Sequence, residues 1–380
     1  MTVVAIVIGC ILYYFSVRPE MQFTTTSYLV GYGFILPFWL AFPVTASRLL
    51  GVHNKIVRFT MTTCVTSICS FRTTAAIHGF SPQHTTTSMK RFVFYYSAPI
   101  LAKYNSKTKK YVGTNHVIRT MAFAKFYGWI LLAGMMASAF ELFPEYLPAL
   151  AKEPTTVWYD WKLIFNLNNL KNNLLYAAFF QIYLTTFTQA MSALQMAVTL
   201  VETENVMNNP VFGATSPSNF WGRRWNLLIH DVLKRGVFLP VRRQFGSNTA
   251  ALVATFAASG LFHEWLQLTL FPTWDHEVSD DGTCRLLKGL PDDSAVTILH
   301  CYSPQWGASM AFFLWQAMLI AIEFAVGPYC KGFFLGVPAP VKTILTVVAG
   351  GCVAHWFTEP YVHSNFFLDG NAALFYLKRA

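Results

Sequence analysis

Residues 254–270 read ATFAASGLFHEWLQLTL. The run is apolar and long enough to cross a bilayer, since a spanning helix needs about 20 such residues. Yet His263 and Glu264 stand side by side within it. A charged acid at membrane depth costs roughly 2.5–3.5 kcal/mol on insertion scales, so an ionisable pair there reads as a functional site. On a helix, Ser259, His263 and Gln267 follow at i, i+4 and i+8 and share one polar stripe. A neutral imidazole on that stripe carries one nitrogen able to accept a proton. Glu264 lies about 100° away around the helix, so Glu264 reads as a supporting residue, and Ser259 as another. Gly260 thins the helix beside the stripe and admits a neighbouring helix or a ligand. Zinc is not implied, because HExxH needs a histidine where Gln267 stands.

The rest of the chain sets this helix in a membrane protein. Of 380 residues, 54% are hydrophobic and only 12% charged. A soluble domain has about a quarter charged residues. The composition therefore predicts an all-α, polytopic membrane protein, and the 34 Phe and 11 Trp suit a lipid-facing surface. The net charge of +10 does not imply nucleic acid, because the basic residues sit in short loops between apolar runs. Seven cysteines form no CxxC pair and show no metal-ligand spacing.

Clear spans are expected at 28–46, 117–143, 174–201, 249–271, 306–326 and 341–357, with a short first run at 2–17. That run lacks a basic leader and a small-residue cleavage site, and reads as a first span or signal anchor. Residues 61–80, rich in Thr and carrying Arg72, read as an interfacial or re-entrant helix. Residues 92–101 are too short to cross, and 366–377 read as interfacial. The sum is about seven to nine membrane-crossing helices plus interfacial ones. No internal repeat or low-complexity linker divides residues 1–380, so they read as one domain. Positive-inside reasoning puts the basic segment 202–248 on the cytosolic face and the acidic loop 272–305 on the opposite one. Cys284 and Cys301 share that loop and are a candidate disulfide if it faces an oxidising compartment.

From Asn209 the basic segment reads NPVFGATSPSNFWGRRWNLLIHDVLKRGVFLPVRRQFG. Its mix of Trp and Arg suits a short helix at the membrane surface, with Trp inward and Arg outward. The plain structural alternative is an interfacial anchor, with Trp221 and Trp225 in the headgroups and the arginines on lipid phosphate.

FWGRRWN at 220–226, followed by SGLFHE at 259–264, resembles the membrane-bound O-acyltransferase superfamily and, within it, the wax synthase branch. The resemblance covers roughly 209–271, the core motif region. It implies transfer of a fatty acyl group from acyl-CoA, a co-substrate rather than a bound cofactor, to the hydroxyl of a lipophilic alcohol, most simply a long-chain fatty alcohol. It also implies His263 as the catalytic base and Asn226 as its companion. Acyl-CoA would meet Trp221, Arg223, Arg224, Trp225, Arg242 and Arg243, with Lys234 on the same face. The endoplasmic reticulum membrane is the implied location. Diacylglycerol or a sterol would serve the same chemistry. A proton-coupled transporter using His263 and Glu264 is the alternative of another class, and it would be expected to show internal repeats.

Overall fold

The computed structural model describes residues 2–52, 54–148, 160–271, 276–278, 284–286, 297–298, 305–364, 366–367 and 377. Two long helix pairs dominate: His116–Leu142 packs along Leu167–Thr199, and Asn248–Leu270 packs along Ala308–Gly336. Among the described residues, three helices are long and apolar enough to cross a membrane: Thr25–Leu49, His116–Leu142 and Ala308–Cys330. Ala339–Gly351 and His355–His363, bent by 63° at their junction, make a fourth if they count as one span. This is fewer than the seven to nine expected. Leu167–Thr199 and Asn248–Leu270 have 33 and 23 residues, ample length for a crossing. Their apolarity is diluted by polar residues turned inward: Asn173, Gln181, Thr185 and Gln195 on one, Glu264 and Gln267 on the other.

A second correction concerns 61–80. The helix Lys55–Met61 runs through a π-turn at 62–67 into Ile68–Ile77, whose residues are almost all buried. It is an interior helix rather than an interfacial one. Its hydroxyls are spent on its own carbonyls: Thr62 Oγ1 donates to Arg58 O at 2.7 Å, Ser70 Oγ to Thr66 O at 2.8 Å, and Thr73 Oγ1 to Cys69 O at 2.8 Å. A threonine that bonds its own helix is far less polar to its surroundings than composition suggests. Arg72 is 1% exposed and donates to Tyr96 O and Ala98 O, the carbonyl end of helix Met89–Ser97. A cation is well placed at a helix C-terminus. Phe366 and Phe367 are likewise buried, against Phe179 and Tyr361, rather than interfacial; most of 366–377 lies outside the described residues.

Small strands interrupt the helical pattern. Tyr104–Asn105 and Lys110–Tyr111 form a hairpin. In the acidic loop, His276–Val278, Cys284–Leu286 and Thr297–Ile298 form an antiparallel sheet. Cys301 lies outside the described residues, as does the side chain of Cys284, and so does the disulfide expected between them.

Gly260 sets the spacing of the central pair. A Cβ added there would sit 2.8 Å from Met310 Cα and 2.9 Å from its Sδ. The sequence reading of Gly260 as a point of close approach is thus realised by helix Ala308–Gly336. Gly260→Val is expected to force these helices apart at a cost of about 1–3 kcal/mol. It should appear as a lower melting temperature of the detergent-solubilised protein; an unchanged one would mean the helices can separate freely.

Candidate active site

The basic segment folds as a chain of short helices. Ser216 caps Pro217–Arg223, its side chain accepting from Asn219 N at 3.2 Å, and Pro217 occupies the first turn, where its missing N–H costs nothing. Arg224 then breaks the helix. Asn226 adopts φ +38°, ψ 65°, a left-handed conformation that asparagine tolerates better than most residues. Its Oδ1 accepts from Ile229 N at 3.3 Å and starts the helix Leu227–Leu233, which packs on Asn248–Leu270. Asn226 therefore has a structural role that its motif did not announce.

Between these elements lies a cavity of about 700 Å³, walled mainly by aromatic and aliphatic side chains. That volume falls within the range of small-molecule sites. Trp221, Trp225, Asn226, Ser259 and His263 all line it. His230 and Lys234 line it from the basic segment, and burial together with the neighbouring Lys234 holds the His230 imidazole below its usual range, while Asp231 pulls the other way. Arg223, Arg224, Arg242 and Arg243 are not among its walls. Arg223 and Arg242 are exposed. Arg224 is committed locally, donating to Asn219 Oδ1 at 2.7 Å and Asn208 O at 3.1 Å. Arg243 lies over the Phe23 ring. Trp221 packs inward against Phe256, Phe312 and Phe313, and its Nε1 donates to Gln316 Oε1 at 3.2 Å. Trp225 stacks on Phe220.

The polar stripe of the histidine helix divides in the structure. Ser259 and His263 face the cavity, whereas Gln267 is fully buried and donates to Ser309 Oγ at 2.8 Å. Glu264 points elsewhere, as its angular offset implied. Its Oε1 accepts from Met310 N at 3.1 Å, in the first turn of Ala308–Gly336. A carboxylate there complements the positive end of the helix dipole and satisfies an amide that has no intrahelical partner.

A second acid does the same for the motif helix. Glu323 accepts from Ser218 N and Ser218 Oγ, both at 2.7 Å, and so ties the start of Pro217–Arg223 to the span Ala308–Cys330. Glu323 is absent from the residues singled out in the sequence, although an acid inside an apolar run is the same signal that drew attention to Glu264. Phe313 and Phe357, which flank His263, carried no signal at all; only the packing of three separate helices brings them there.

The fold and cavity define a helical membrane protein with His263, His230 and the helix-capping Asn226 on the wall of a lipophilic chamber. Residues 204–280 match the model of the membrane bound O-acyl transferase family. The chain is 42% identical over 82 residues to "Probable long-chain-alcohol O-fatty-acyltransferase 1" of Arabidopsis thaliana, covering 19% of this chain and 24% of that one. It is 36% identical over 107 residues to "Long-chain-alcohol O-fatty-acyltransferase" of Simmondsia chinensis, 25% of this chain and 30% of that one. "Acyl-CoA--sterol O-acyltransferase 1" of Arabidopsis thaliana is 36% identical over 96 residues, 24% of this chain and 28% of that one. The match spans about a quarter of the length of the first of these relatives.

Proposed function

We propose that this protein is a membrane O-acyltransferase that moves a fatty acyl group from acyl-CoA to the hydroxyl of a lipophilic alcohol. The observation that carries the reading is the shared cavity: His263 and Asn226, both inside the matched stretch 204–280, line one lipophilic chamber. In the proposed reaction His263 takes the proton of the alcohol hydroxyl as its oxygen attacks the thioester carbon. The carbonyl oxygen becomes an oxyanion, and the Asn226 amide, whose Oδ1 is engaged by Ile229 N, has its Nδ2–H group to offer there. Collapse breaks the carbon–sulfur bond. The imidazolium returns its proton to the departing thiolate, so the products are an ester and free CoA. No acyl-enzyme is needed, and acyl-CoA acts as co-substrate without a resident cofactor. Lys234, on the cavity wall at the basic segment, and the exposed Arg223 and Arg242 suit the phosphates of CoA arriving from the cytosol.

A long-chain fatty alcohol is the favoured acceptor, giving a wax ester, because most of the similar proteins carry that activity in their names. A sterol is the second reading, favoured by the sterol acyltransferase among them. The endoplasmic reticulum membrane fits both. Membranes lacking neutral-lipid synthesis, supplied with labelled acyl-CoA and fatty alcohol, sterol or diacylglycerol in turn, test the assignment. Ester from the fatty alcohol, in excess over the other two, is the expected result. Absence of any ester would remove the assignment.

A further inference from the structure

A catalytic imidazole that accepts a proton becomes a cation, and inside an apolar chamber that cation must be stabilised by something. In many hydrolases a carboxylate does so from the far ring nitrogen. Here Nδ1 of His263 is buried with no hydrogen-bond partner among the described residues. Several acids have other partners: Glu264 accepts through Oε1 from Met310 N, Glu323 from Ser218, Asp231 pairs with Arg235 and Glu359 with His363. What surrounds the imidazole instead is rings. Phe313 lies 4.8 Å away, centroid to centroid, at an interplanar angle of 19°, so the two rings are stacked. Phe357 stands at 4.9 Å and 79°, and Phe262 at 5.0 Å and 65°.

An aromatic face carries the negative lobe of the ring quadrupole, and a cation within about 6 Å of the centroid is attracted to it, more strongly where water is excluded. Both key rings are braced. Phe313 is 4% exposed and packs on Trp221 and Phe312. Phe357 stacks on Phe312 at 5.2 Å and touches Phe180. Held this way, the rings need no rearrangement at the moment charge appears.

We infer that the imidazolium formed as His263 takes the alcohol proton is stabilised by the stacked ring of Phe313, with Phe357 closing the box around it, rather than by a carboxylate, which makes Phe313 a positioning residue for the transfer. The inference rests on the reading of His263 as the base. It assigns catalytic value to an aromatic box that would otherwise count only as core packing.

Fluorination separates the two roles, because each fluorine weakens the ring quadrupole while hardly changing ring shape. Phe313 is replaced, in the full-length protein, by mono-, di- and trifluorophenylalanine, and ester formation is followed with saturating acyl-CoA and fatty alcohol. The expected result is a stepwise fall in kcat, on the order of tenfold across the series, with both KM values unchanged. Phe313→Leu should lose at least as much; if it fails to fold, the fluorinated proteins still decide. A flat kcat across a series that elutes and melts like the parent protein overturns the inference while leaving the acyltransferase reading intact. Absence of ester from the parent protein with every acceptor overturns both.

Discussion

His263→Ala is expected to lower turnover with acyl-CoA and fatty alcohol by about 10²–10⁴-fold, the range over which a positioned general base contributes. The protein should remain folded and monodisperse, since His263 forms no inter-helix hydrogen bond among those described and its ring contacts are shared by neighbours that stay in place. His230 is the internal control. It lines the same cavity, but from the short helix Leu227–Leu233 in the basic segment. His230→Ala should change turnover by less than about tenfold. Equal losses at the two positions would mean that neither histidine is the specific base, and full activity in His263→Ala would sink the role given to it.

Glu264→Ala is expected to act on stability more than on chemistry. Removing the carboxylate leaves the part-buried Met310 N without its acceptor, and losing a buried partner costs about 1–3 kcal/mol, more when the acceptor is charged. The backbone amides of Gly307 and Ser309 face the same carboxylate, so the end of the whole helix is affected. Thermal unfolding in detergent measures the loss. Glu264→Gln keeps an oxygen acceptor and should recover part of it. Turnover per folded molecule should fall far less than in His263→Ala; if it falls equally, Glu264 takes part in proton transfer and the capping role is incomplete.

Adjacent residues thus divide the labour, and the division was legible in advance. Helical geometry alone separates His263 from Glu264 by a quarter of a turn or more, which is why one faces the cavity and the other the neighbouring helix. Gly260 was legible for the same reason: a missing side chain beside a polar stripe marks a close approach. The number of spans was not: 174–201 and 249–271 read as spans by length and general apolarity, yet inward-facing polar residues such as Gln181 and Gln267 leave them short of the apolarity of the three helices that qualify among the described residues. Nor was the character of residues 61–80, where self-bonded threonines mimic a polar surface. For the site, the motifs nominated Trp221, Trp225, Asn226, Ser259 and His263, all of which meet one cavity. The arginines were grouped only by charge, and charge says nothing about whether a guanidinium such as that of Arg224 is already occupied. Phe313 and Phe357 became visible only once three helices were packed together.

The two acids inside the helical bundle bear on how the chain is built. Glu264 is synthesised 46 residues before Met310, and Ser218 105 residues before Glu323. While the ribosome is between those points, each half of each pair lacks its counterpart. A lone carboxylate entering lipid is costly, so the histidine helix has reason to wait beside the insertion machinery until Ala308–Gly336 emerges and then to enter the bilayer with it. Helices made later than the motif helix would then complete the site it begins, and a nascent chain halted before residue 308 would hold its histidine helix short of a settled position in the membrane.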